Sequence, residues 1–224
     1  MPAPQPDATW GVDFARDDGT AGFLRLLRFA NRCWCWAYLV GPSIGLVVVR
    51  DPDVAPPRRT EILDVRSEGL WMELVCETPD EHWTYGVEAF AVRLDDPEDA
   101  LRGEIGERLP MGVDLEWETD GSGATGTVHG ELLIRDARIE LEAPGVLRNT
   151  TAPATAWPTR LPSTPFEPLV TVPIPLGVEA TANGPVLLRV LARMHDEAGI
   201  GGASWLEVLQ SEAPGSEGGA MSHE

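Results

Sequence analysis

Residues 33–38 read Cys33, Trp34, Cys35, Trp36, Ala37, Tyr38: every second side chain is a large ring, and those between are small. An extended chain sorts such a run onto two faces, because successive strand side chains point opposite ways, whereas a helix would scatter the rings around its circumference. The same period of two recurs in Leu70, Met72, Leu74, Cys76 against Trp71, Glu73, Val75, Glu77, and in Val113, Leu115, Trp117 against Asp114, Glu116, Glu118. Further strands are expected at residues 23–29, 45–50, 61–65, 82–94, 125–134, 138–141, 169–178, 186–194 and 204–209. Gly, Pro or Asp breaks the pattern about every eight to twelve positions, the spacing of antiparallel folds. About a dozen strands predict an all-β protein, built as an antiparallel barrel or a two-sheet sandwich. The one helix-permissive stretch, residues 96–107, has an acidic first turn and is kept short by Gly103 and Gly106.

At 224 residues with 43% apolar content and eight Trp, the chain can fill one substantial core. Residues 1–9 read as a flexible N-terminus and residues 10–209 as one unit. Within that unit, 10–142 forms the main sheet region, 143–168 a long Pro/Thr-rich loop and 169–209 the closing strands. Residues 210–224, rich in Gly, Ser and Glu, read as a disordered tail. No apolar run reaches the roughly 20 residues of a membrane helix, and the N-terminus lacks a secretory pattern, so no stable membrane insertion and a cytoplasmic location are expected.

All 17 basic residues are Arg, which excludes Schiff-base, pyridoxal-phosphate and P-loop lysine chemistry. The net charge of -19 repels phosphate backbones, so nucleic acid is not an expected partner. Cys33, Cys35 and Cys76 are odd in number and lack CxxC spacing; they read as buried structural thiols. His82, His129, His195 and His223 show neither HxH nor HExxH spacing, and no metal site or cofactor is expected.

Five segments carry a family resemblance: CWCWAYLV (33–40), ETPDEHWTYGVEAFAVRLDDP (77–97), MGVDLEWET (111–119), TGTVHGELLI (125–134) and GIGGASWLEVLQ (199–210). Their order resembles the lipocalin-like, all-β superfamily around hydroxyneurosporene synthase and its actinobacterial relatives, here with a shortened second half. Relatives follow the TGTV-like strand with a polar segment containing Arg, an acid or His, and Trp. Residues 145–157 read GVLRNTTAPATAW, where Arg148 and Trp157 echo that pattern and the acid and histidine are missing.

The resemblance implies an apolar ligand of isoprenoid, steroid or fatty acyl type, held in a barrel or sandwich cavity. Trp34, Trp36, Tyr38, Trp71, Trp83 and Tyr85 are the candidate lining. Alternatively the protein is a cofactor-free hydratase, isomerase or lyase, which needs one desolvated carboxyl beside aromatic walls. Glu88 is the candidate acid and His82 its companion nearer the mouth, since Phe90 and Val92 continue their face and predict that it is partly covered. Asp114 and Glu116 read as a solvated face. A third reading is an interaction scaffold whose open sheet edge is covered by homodimerisation.

Overall fold

The computed structural model describes residues 3–59, 62–150, 158, 160, 161, 163–177, 184–195 and 202–210. The chain is all-β, with thirteen strands among the described residues and one 3-10 turn, η1 (Pro97–Arg102). The first ten strands are β1 (Ala8–Ala15), β2 (Ala21–Arg28), β3 (Cys33–Gly41), β4 (Gly45–Val54), β5 (Ile62–Ser67), β6 (Leu70–Thr78), β7 (His82–Leu94), β8 (Glu107–Thr119), β9 (Thr125–Ile134) and β10 (Ala137–Leu147). They form one antiparallel sheet in the order β4-β3-β2-β1-β10-β9-β8-β7-β6-β5. The sheet curls into a ring because β4 also pairs with the end of β7, through Leu46↔Leu94, Val47↔Arg93 and Val48↔Val92. The remaining strands, β11 (Phe166–Pro175), β12 (Val186–Met194) and β13 (Ala203–Gln210), form a separate three-stranded sheet.

Alternation assigns side chains to two cores. Val12, Phe14, Leu24, Cys35, Met72, Tyr85, Val87, Leu115 and Trp117 point into the ring and pack with one another. The opposite face of β2, β3 and β4 is covered by the three-stranded sheet, so Phe23, Leu27, Trp34, Trp36, Tyr38 and Val48 join Ile174, Leu187, Leu191 and Trp205 in a second core. Strand β3 is therefore buried on both faces along all nine residues. That is the reason its sequence carries apolar groups at every position rather than at every second one.

Several boundaries differ from expectation. Strand β1 begins at Ala8, inside the stretch read as a flexible N-terminus, because Trp10, Val12 and Phe14 alternate with Thr9, Gly11 and Asp13 and pair along the whole of β2. Strand β10 runs on to Leu147 and β11 starts at Phe166, which shortens the loop read as 143–168 from both ends. Gln210 closes β13, while residues 211–224 lie outside the described residues.

Burial raises the thiol pKa of Cys33 to about 11 and that of Cys35 well above its ordinary value. Both side chains are fully buried, while Cys76 is half-buried. A charged thiol reagent is expected to label Cys76 in the native protein and to reach Cys33 and Cys35 only after unfolding. Rapid native labelling of either would place this face of β3 outside the ring.

Candidate functional site

The six aromatic candidates lie in three places. Trp83 and Tyr85 face the ring interior, where the Tyr85 hydroxyl donates to the Gly11 carbonyl at 3.4 Å. Trp71 lies on the outer surface and donates through Nε1 to Asp64 at 3.1 Å. Trp34, Trp36 and Tyr38 stand side by side in the second core. These residues do not converge on one cavity.

The face carrying His82 and Glu88 is the outer one. The cover expected at Phe90 is missing: Phe90 is 70% exposed, and Glu88 beside it is exposed as well. Cover begins only at Val92, which packs against the second core. Glu88 and Trp71 border an open groove of about 470 Å³, together with Phe90, Met111, Gly112 and Leu133. A carboxyl in that position stays hydrated, so Glu88 does not meet the requirement for a desolvated acid. Asp114 is exposed opposite the buried Val113, Leu115 and Trp117, as alternation predicts.

A desolvated acid does occur, at Glu104. After η1 the chain turns through two successive left-handed residues, Gly103 (φ 91) and Glu104 (φ 57). The Glu104 amide donates back to the Asp99 carbonyl at 3.0 Å. A side chain tolerates that conformation at a cost of about 1–2 kcal/mol, and the turn brings the Glu104 carboxyl within the electrostatic reach of Tyr38 and Arg50. Burial raises its pKa to about 7 against the opposing field of Arg50. Burial, with Glu104 adding to it, likewise pushes the Tyr38 hydroxyl far above its usual range.

Four buried atoms along this seam have no hydrogen-bond partner among the described residues: the Tyr38 hydroxyl, Arg50 Nε, Trp34 Nε1 and one oxygen of Glu104. Arg50 spends its other end on the Gly177 carbonyl, which ties β4 to the chain following β11. The aromatic rings of this core contact one another in two groups. Phe23 stacks on Tyr38 at 4.9 Å, Trp205 meets Phe23 edge-on at 5.1 Å, and Trp34 lies 6.0 Å from Trp36.

Behind these rings sits an ionic cluster. Asp13 of β1 accepts from Arg25 at 2.5 Å, from Arg189 at 2.8 Å and from Arg148 at 2.8 Å. Glu207 of β13 takes the other end of Arg189 at 3.1 Å. Arg189 is fully buried, with its guanidinium 4.0 Å over the Phe23 ring and 5.5 Å over Trp205. Burial alone would raise the Asp13 pKa, but Arg189, Arg25 and Arg148 overcome it and hold the carboxyl well below the usual range. Burial lowers Arg25 to about 10, partly offset by Asp13, which leaves it charged at neutral pH. Three guanidiniums face two carboxylates here, so this cluster is locally positive within a strongly acidic chain.

Of the two residues that echo the family's polar segment, Arg148 enters this cluster and Trp157 lies outside the described residues. Comparison with protein-family models, with curated proteins and with solved structures finds no match to this chain.

Proposed function

We propose that the protein binds an apolar small molecule in the seam between the outer face of β2–β4 and the three-stranded sheet. The molecule's oxygen-bearing end meets Tyr38, Arg50 and Glu104. The observation that carries this reading is the set of four polar atoms beside Trp34, Trp36 and Tyr38 that have no partner among the described residues. A polar group buried without a partner costs about 1–3 kcal/mol, so a seam holding several favours a molecule that supplies the missing bonds. Three of the four atoms are donors, which selects an acid or alcohol end on an isoprenoid, steroid or fatty acyl body. The resemblance to the lipocalin-like superfamily around hydroxyneurosporene synthase supports the same ligand class.

Glu104 favours a second reading, a cofactor-free hydratase, isomerase or lyase. A carboxyl with a pKa near 7 is still substantially protonated at neutral pH and can deliver that proton to a ligand double bond. Water then captures the carbocation and returns a proton to the carboxylate.

Native mass spectrometry of protein purified from its own host tests the binding proposal. A co-purifying apolar acid or alcohol is expected on wild type, with reduced occupancy in Tyr38→Phe. A bound molecule unaffected by Tyr38→Phe, or wild-type protein bare after gentle purification, would contradict it.

A further inference from the structure

On the outer face of the ring, β7, β8 and β9 bring two imidazoles and two carboxylates together. The ladder sets His82 opposite Glu118 and Glu116 opposite His129. All four side chains point outward, because their chain neighbours Trp83, Trp117 and Val128 pack into the ring. Oε2 of Glu116 lies 3.1 Å from His82 Nε2 and 3.5 Å from His129 Nε2. The donor atoms of His82, Glu116 and Glu118 all lie within 4.8 Å of one another.

These separations have the scale of a metal coordination shell. Two ligands held 2.0–2.1 Å from one ion at the tetrahedral angle stand about 3.3 Å apart, and the two histidine–carboxylate distances bracket that edge. One imidazole beside a carboxylate is an ordinary hydrogen bond. Here two rings approach the same carboxylate oxygen through Nε2, a second carboxylate stands alongside, and no Arg pairs with Glu116 or Glu118 among the described residues.

We infer that His82, Glu116 and Glu118 form a binding site for a divalent transition-metal ion of the zinc class, with His129, which approaches Glu116, swinging in as the fourth ligand. Imidazole nitrogen suits zinc, copper or nickel, whereas magnesium and calcium take oxygen shells. The bound ion ties three neighbouring strands together, and its partly exposed ligands leave it open to exchange with solvent.

Titration of the full chain with zinc chloride, followed by calorimetry and by thermal unfolding, tests the site. One equivalent is expected to bind, with the melting temperature raised by about 5–10 °C at a hundredfold excess over the dissociation constant. His82→Ala and His129→Ala are each expected to weaken binding about tenfold or more, with circular dichroism unchanged. Cobalt is expected to give the visible bands of a tetrahedral ion with wild type and to lose them in both variants. Zinc binding at wild-type strength in the double His82→Ala/His129→Ala variant would overturn the inference. So would displacement of zinc by equimolar magnesium, or loss of binding in Cys76→Ser.

Discussion

Asp13→Ala is expected to lower stability by about 3–5 kcal/mol, since it leaves buried guanidiniums without their shared carboxylate. At this chain length that corresponds to a fall of about 6–20 °C in melting temperature. Asp13 is the hub: Arg25, Arg148 and Arg189 all donate to it, and Glu207 alone would remain, 3.1 Å from Arg189 and 3.9 Å from Arg25. The pH dependence fixes the sign independently. Because the folded-state pKa of Asp13 is depressed, its contribution is fully present above the unfolded value of about 3.9 and is lost as pH falls toward the folded value. The gap between wild type and variant, measured by chemical denaturation, should therefore be constant near neutrality and narrow below about pH 4. A variant as stable as wild type at pH 7 would mean that the cluster is not formed.

Glu104→Gln is expected to have the opposite effect, stabilising the protein by about 3–4 kcal/mol at pH 8. The folded state holds this carboxyl at a pKa of about 7 because burial disfavours its charge. Folding therefore favours the protonated form, and wild-type stability from this group is lost as pH rises from the unfolded value of about 4.3 through 7. Glutamine carries no charge to desolvate, so the variant should match wild type near pH 4.5 and exceed it at pH 8. Denaturation at the two pH values checks this; a variant less stable than wild type at pH 8 would show that the Glu104 carboxylate is stabilised by Arg50 rather than strained by burial.

Both predictions involve residues that alternation alone did not single out, and the reasons differ. The bounds of β7, β9 and β12 were legible as residues 82–94, 125–134 and 186–194, because each strand keeps an unbroken pattern between turn residues. Strand β1 carried the same signal in Trp10, Val12 and Phe14, and recognising it would have placed Asp13 on the opposite face. Alternation separated the rings of β3 from its thiols, but a strand buried on both sides does not reveal which face meets which neighbour. The exposed Phe90 reversed the reading of the His82 and Glu88 face for a related reason: a single large apolar residue does not establish cover. Glu104 was beyond reach, since its burial depends on a left-handed turn bringing it against β3 and β4. His82 and His129 meet only through the register of β7, β8 and β9, so no motif spacing announces their pairing.

The most direct test of the ligand seam is photo-crosslinking with a long-chain fatty acid carrying a diazirine in its alkyl tail, followed by peptide mapping. Adducts are expected on Cys33–Gly41 of β3 and on the facing Val186–Met194 of β12, reduced by Tyr38→Phe and by excess unlabelled acid. Adducts confined to the outer groove around Trp71, Phe90 and Leu133 would contradict this expectation and move the ligand to a different stretch of the ring's outer face.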